Sequence, residues 1–321
     1  MLSIFNRNTL GQLLVILIAV AALWTGAFVH PASLPHGVHF SPLYDLIQRE
    51  LAHLPRLATG IALTLIIIEG IWLNIILVDF KITKAHSLLP TLLYIIAMSW
   101  HLESQTLIPI VISNLFIIAA ARQLLSNGAT TLQTSNNFNT SFFIGLSVLF
   151  YLPSLAYFIP TIIVLLTYKM YSLRHFTVSL LGLAAPLIIL FLYAFLSDKL
   201  EYYAILIGFD IKIFSSELEF SQLRHTLPNI FFLLILIATL FIQLGSMSDK
   251  MIHQRVNTNV LTLPLIASVI MAFYDNLFPV NTAFFAIPFV FLCEKMLTSD
   301  VKRKWILESV FDLLLICSLI C

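Results

Sequence analysis

Two short polar segments of this otherwise apolar sequence carry side chains that could do chemistry. The first holds Asp45, Arg49 and Glu50, and the second holds His101 and Glu103. A carboxylate in such a place can accept a proton from an acceptor hydroxyl group as a general base. It can also hold a divalent cation against a lipid phosphate. We predict a catalytic site in which Asp45 and Glu103 are the acids, with Arg49 and His101 as substrate-binding neighbours.

A second kind of candidate is an acid inside a long apolar run. Glu69 lies in the stretch LTLIIIEGIWLNIIL, and Asn74 follows it about one and a half turns later. A charge in the middle of a bilayer costs at least a few kcal/mol, so such residues are candidates for function. Glu69 could bind a proton or a cation. It could equally hold two helices together through a hydrogen bond, and the sequence leaves both interpretations open.

Three histidines, His30, His36 and His39, share the first polar segment with Asp45. Zinc needs three or four converging nitrogen, sulfur or oxygen ligands. The prolines between these histidines make their geometry unpredictable, so no metal site is predicted. A divalent ion on a substrate phosphate stays open as a cofactor.

The apolar runs that separate these segments determine the fold class. Of the 321 residues, 60% are hydrophobic and 10% are charged. A membrane-spanning helix needs about 20 apolar residues, and the runs do not alternate as barrel strands would. We predict an all-α polytopic membrane protein with about eleven spans, several of them short, at 10–29, 57–79, 89–102, 105–121, 141–152, 153–169, 177–196, 226–244, 259–274, 282–296 and 305–321.

Lysine and arginine residues predict the orientation of these spans. With the N-terminus in the cytoplasm, twelve of the 17 basic residues fall on the cytoplasmic side, as the positive-inside rule requires. The outer loops are then 30–56 and 197–225. The first should contain a short amphipathic helix that starts at Ser41-Pro42 and lies on the membrane surface. The uncharged inner loop 122–140 is predicted to be flexible, and the proline-broken stretch 141–169 to form a hairpin of two short helices.

Several of these segments resemble the membrane half of the lipid-linked-sugar glycosyltransferases of the GT-C class. The resemblance covers roughly residues 10–200. It rests on Ser41-Pro42-Leu43-Tyr44 at the surface helix, on Gly145-Leu146-Ser147-Val148-Leu149, and on the Pro186-containing helix after a basic loop. The chain also resembles a group of uncharacterised inner-membrane proteins of Bacteroidota, which implies a multi-pass protein of the bacterial inner membrane and cell envelope. The sequence departs from the GT-C pattern in the first outer loop. Residues His30 to Phe40 contain no acid, although such transferases usually place one there.

Three functions are compatible with these features. The first is transfer of a sugar from a polyprenyl-linked donor at the outer leaflet, with Asp45 or Glu103 as the base or metal contact and Arg49 or Arg224 on the phosphate. The second is a non-catalytic scaffold that docks an envelope protein partner. The third is a transporter with Glu69 as the coupling site. We expect membrane lipids as partners and no nucleic acid. Residues 1–200 should form the GT-C-like region and 201–321 a C-terminal helical membrane region, with no separate soluble domain.

Overall fold

A computed structural model describes Phe5 and residues 9–34, 42–83, 87–100, 104–129, 134–167, 172–199, 223–245, 262–274, 282–297 and 304–320. These residues are almost entirely helical and contain no strand, which confirms the all-α fold class. The α-helices are α1 (Thr9–Val29), α2 (Pro42–Leu51), α3 (Pro55–Asp79), α4 (Leu89–Met98), α5 (Pro109–Ala129), α6 (Thr134–Phe150), α7 (Phe158–Thr167), α8 (Leu173–Leu196), α9 (Leu223–Gly245), α10 (Pro264–Tyr274), α11 (Ala286–Leu297) and α12 (Lys304–Ile320). Short 3₁₀ helices at Leu152–Tyr157 and Thr282–Phe285 precede α7 and α11.

Four helices among the described residues are long and apolar enough to cross a membrane: α1, α3, α5 and α8. Three of them, α1, α3 and α8, carry exposed apolar side chains, and Leu10 of α1 and Leu196 of α8 are more than 70% exposed. Side chains of this kind are expected to face lipid rather than water, because lipid tails are as apolar as leucine. The structure shows helices at all eleven predicted positions, but among the described residues only these four combine the length and the apolar composition that a span requires.

Helix α4 lies at the centre of the fold. All ten of its residues are buried, and it packs against α3 on one side and α11 on another. At 1.5 Å per residue it is about 15 Å long, roughly half the hydrocarbon thickness of a bilayer. One buried apolar cluster contains α4 and runs from Phe5 to Leu314, so it includes helices from both ends of the described chain.

Helices α6 and α8 cross at two glycines. A Cβ atom on Gly145 would lie 2.6 Å from the carbonyl oxygen of Leu183, and one on Gly182 would lie 2.5 Å from that of Phe138. A residue with a Cβ atom at either position would displace the backbone of the facing helix, so glycine allows the two helices to approach closely. The crossing fixes the spacing of α6 and α8 beneath α2.

Two predictions about loops are tested here. The stretch 141–169 is broken as expected, since Leu152–Tyr157 forms a 3₁₀ helix between α6 and α7. The flexible loop predicted over 122–140 is wrong in its extent, because α5 continues to Ala129 and α6 begins at Thr134. Side-chain bonds support these ends: Asn136 donates to the Ser126 hydroxyl group at 3.0 Å, and Thr140 donates to the Asn136 carbonyl oxygen at 2.7 Å.

Candidate functional site

Helix α2 carries the first group of candidate residues, and its sequence explains its form. Pro42 occupies the first helical turn, where a missing N–H costs nothing. Leu43 and Leu46 lie on one side, while Asp45 and Arg49 share an adjacent stripe. The predicted short amphipathic helix is therefore confirmed as a helix.

Tyr44 fastens α2 to the rest of the protein. Its ring is buried, and its hydroxyl group donates a hydrogen bond of 2.8 Å to the carbonyl oxygen of Leu107. Burial raises the pKa of the Tyr44 phenol above its ordinary value, because the phenolate would lose its hydration. Leu107 lies just before α5, so the bond ties the segment that carries Asp45 to the segment that follows Glu103.

A groove of about 450 Å³ runs beneath α2, between that helix and the α6/α8 crossing. Its wall is apolar apart from the hydroxyl group of Tyr193, and it is formed by Leu43, Leu46, Phe142, Leu146, Leu149, Pro186, Ile189, Leu190 and Tyr193. A small separate cluster of buried apolar residues, centred on Leu149 and Leu190, forms part of its floor. The groove has the chemistry of a site for a hydrocarbon chain.

Asp45 and Arg49 form an ion pair on the flank of α2. Arg49 Nε lies 2.9 Å from Asp45 Oδ2, and the side chains are 60% and 26% exposed. Arg49 follows Leu46 of the groove wall by three residues, so the two are neighbours on the helix surface. A guanidinium group therefore lies beside the apolar groove, with a carboxylate as its partner.

The second polar segment is largely buried where the structure describes it. Ser104 donates to the carbonyl oxygen of Met98 at 2.9 Å, and Gln105 donates to that of Ser99 at 3.0 Å. The Trp24 ring nitrogen donates to the Ser99 hydroxyl group at 2.9 Å. The bonds of Ser104 and Gln105 hold these two residues against the C-terminal end of α4.

The structure does not describe the side chains of three predicted site residues. His101 and Glu103 lie outside the described residues. Arg224 belongs to the first turn of α9, where only the backbone is described. The catalytic role of Glu103 and the binding roles of His101 and Arg224 therefore stay predictions.

Glu69 lies inside the protein rather than facing lipid. Its side chain has no exposed surface, and its Oε2 accepts a hydrogen bond of 2.8 Å from the Tyr94 hydroxyl group of α4. Asn74, five residues further on, is 7% exposed, and its Oδ1 has no hydrogen-bond partner among the described residues. Five residues turn a helix by about 140°, so the two polar groups do not share a face.

A second buried acid was missed by the sequence reasoning. Glu294 of α11 has no exposed surface and accepts a hydrogen bond from the Thr83 hydroxyl group, close to the end of α3. The sequence did contain an indication of this acid, because Glu294 falls within the predicted span 282–296. It was overlooked because Lys295 follows directly and makes that end of the span look like a solvated boundary.

No group of three or more His, Cys, Asp and Glu side chains that could hold a metal ion occurs in the described part of the chain. His30 is exposed at the end of α1, and His36 and His39 fall outside that part. The described residues thus provide no ready-made metal site beside α2.

Comparison with protein-family models, with curated proteins and with solved structures finds no match to this chain.

Proposed function

We propose that this chain is a membrane protein that acts on a polyprenyl-linked substrate, with glycosyl transfer as its reaction. The observation that supports the proposal best is the apolar groove beneath α2, because an arginine–carboxylate pair lies next to it. The groove offers apolar contacts to the part of a prenyl chain nearest its phosphate, and Arg49 lies beside the groove, where it can hold that phosphate. Arginine suits this task because its planar fork pairs with two phosphate oxygens.

The reaction follows from the roles of the two charged residues. The acceptor oxygen forms a bond to the anomeric carbon of the donor sugar, and the bond from that carbon to the phosphate oxygen breaks. Asp45 takes the proton of the acceptor hydroxyl group as general base. Polyprenyl phosphate leaves with the electron pair, and Arg49 stabilises its added negative charge.

The residues behind the sequence resemblance support this proposal by their positions. Leu43 follows the Ser41-Pro42 entry, and Leu146 and Leu149 belong to the Gly145–Leu149 run; all three line the groove. Gly145 itself makes the close contact between α6 and α8. The Tyr44 bond to Leu107 supports Glu103 as an additional acid, since it brings the chain that follows Glu103 to α2.

The two alternative functions have less support. A transporter requires a solute pocket near Glu69, but the cavity lined by Leu73 and Ile76 of the same helix is only about 40 Å³ and almost wholly apolar. A scaffold requires an exposed apolar face, and α1 and α8 have such faces. A lipid-facing helix looks the same, so this exposure does not favour a scaffold.

Photo-crosslinking tests the proposed lipid site. The protein is reconstituted in nanodiscs with a benzophenone-bearing prenyl phosphate, irradiated and mapped by mass spectrometry. Ile189 and Ile188 of α8 are a matched pair, 63% and 59% exposed, and only Ile189 lines the groove. Ile189→Trp should lower crosslinking to α2 and α6 several-fold, whereas Ile188→Trp should not. Equal crosslinking in both variants, spread over the lipid-facing helices, contradicts a prenyl site in the groove.

Turnover tests the reaction itself. With a polyprenyl-phosphate hexose as donor and a mixture of envelope glycans as acceptors, Asp45→Asn should keep the crosslink and lose release of polyprenyl phosphate. Full release by this variant would show that Asp45 is not the base.

A further inference from the structure

Glu69 is a buried acid that the proposed lipid reaction does not use. It lies about 21 Å along α3 from Pro55 and about 15 Å from Asp79, at 1.5 Å per residue, so it is near the middle of a helix long enough to cross a membrane. Helices α4 and α5 pack against this part of the fold. Among the described residues the groove beneath α2 is lined by α2, α6 and α8, so Glu69 belongs to a different site.

Three side chains form a hydrogen-bonded row at this site. The Asn114 side-chain nitrogen Nδ2 donates to the Tyr94 hydroxyl oxygen at 3.3 Å, and the Tyr94 hydroxyl group donates to Glu69 Oε2 at 2.8 Å. Tyr94 has no exposed surface and Asn114 is 2% exposed. The second carboxyl oxygen, Oε1, is buried without a side-chain or backbone hydrogen bond that meets ordinary geometry among the described residues.

No described cation faces this carboxyl group. Helix α1 contains no titratable residue. The charged residues of α2 are Asp45 and Arg49, which pair with each other, and the exposed Glu50. Arg56, in the first turn of α3, is exposed and lies about 20 Å from Glu69 along the helix. Tyr94 is the titratable residue of α4, and Tyr157, beyond it, interacts with Tyr94. Helix α5 places the Asn114 side chain next to Tyr94 and the backbone of Leu115 next to Glu69. Arg122 of the same helix lies 3.8 Å from Asp79, at the far end of α3.

An ionised carboxylate in this position would be poorly compensated. Burying a charge costs several kcal/mol unless a partner charge and hydrogen bonds replace water. A neutral carboxyl group avoids this cost, and the neighbouring phenol suits it because a tyrosine hydroxyl group both donates and accepts. The orientation of the Asn114 amide can reverse to match either direction of the row.

We propose that Glu69, with Tyr94 and Asn114, forms a proton-binding site within the membrane part of the protein, in which Glu69 holds a proton that exchanges with the aqueous phase. The ligand is the proton itself. One carboxylate oxygen gains it from water through transient openings of the fold, and no redox step is involved. The proton-binding site does not depend on the prenyl groove, so an experiment that contradicts one of the two proposals leaves the other standing.

Infrared spectroscopy of the full chain in nanodiscs observes this proton directly. A protonated carboxyl group has a C=O stretch at higher frequency than a carboxylate, and the band moves down when the proton is replaced by deuterium. The wild-type spectrum at neutral pH should contain such a band, and Glu69→Gln should lack it. Glu294→Gln, which alters another wholly buried acid, should retain it.

Tyr94→Phe provides a second variant that keeps the acid and removes its hydrogen-bond donor. The Glu69 band should persist and move to higher frequency, since a carbonyl group without a donor vibrates faster. Two results overturn the proposal. One is a wild-type minus Glu69→Gln spectrum that contains only carboxylate bands, and the other is a protonated band that does not move after prolonged exposure to deuterium oxide.

Discussion

The Tyr44 hydroxyl group and the Leu107 carbonyl oxygen are joined by a hydrogen bond of 2.8 Å that connects residues 63 positions apart. This bond holds the amphipathic helix α2 over the groove and fixes one wall of the proposed prenyl site. Removing it should loosen the site without changing the charged residues.

Tyr44→Phe should therefore weaken the docking of α2. A buried carbonyl group that loses its donor costs about 1–3 kcal/mol. Hydrogen–deuterium exchange should become faster in Pro42–Leu51 while α3 keeps its protection. Unchanged exchange in α2 would show that apolar contacts alone hold the helix.

The same tyrosine predicts a pH dependence. Burial raises the pKa of Tyr44 in the folded protein. Its docking contribution is therefore complete below about pH 10, the ordinary value for tyrosine, and declines as pH rises above it, because only the undocked phenol ionises easily. Exchange of α2 measured between neutral pH and pH 11 should show this extra alkaline loss of protection in the wild type. After correction for the intrinsic rise of exchange with pH, Tyr44→Phe should lack it.

The glycine crossing of α6 and α8 should be intolerant of a single methyl group. Gly182→Ala places a Cβ atom 2.5 Å from the Phe138 carbonyl oxygen, and overpacking of this kind costs roughly 1–3 kcal/mol. Gly60→Ala is the matched control, because a Cβ there meets nothing within 4 Å. Thermal unfolding in detergent should give a lower midpoint for Gly182→Ala and an unchanged or higher one for Gly60→Ala, since alanine favours helix.

The ion pair on α2 should matter for phosphate binding more than for stability. Because Arg49 is well exposed, the Asp45–Arg49 pair contributes at most about 1 kcal/mol to folding. Asp45→Asn should leave the unfolding midpoint nearly unchanged and tighten binding of polyprenyl phosphate, because Arg49 loses a competing carboxylate. Arg49→Gln should weaken that binding. A titration of both variants in nanodiscs measures this, and equal affinities would remove Arg49 from the site.

The hydrogen bond from Thr83 to Glu294 should stabilise the contact between the end of α3 and α11. Thr83→Val removes the donor and leaves a wholly buried carboxyl group with one hydrogen bond fewer, at a cost of about 1–3 kcal/mol. Thr64→Val is the control, since Thr64 is exposed and bonds only to the Ile61 carbonyl oxygen of its own helix. Similar unfolding midpoints for the two variants would contradict a stabilising role for this hydrogen bond.

The sequence by itself determined the medium and the helices. Long apolar runs require helices, because a bilayer offers no water to the backbone, and α1, α3 and α8 begin and end within a few residues of their predicted bounds. Helix α2 was predictable as a helix for a local reason, since Pro42 starts it and its apolar residues repeat at helical spacing. The position of Glu69 within an apolar run was also readable, although not its partner.

Only the tertiary structure decided which residues meet. The bond from Tyr94 to Glu69 joins two helices, and the groove beneath α2 exists because Gly145 and Gly182 let α6 and α8 come close. Apolar spans of similar composition carry little information about their neighbours, since leucine packs against lipid about as readily as against another helix. Close backbone approach and buried hydrogen bonds supply the missing specificity, and both depend on residues far apart in the chain.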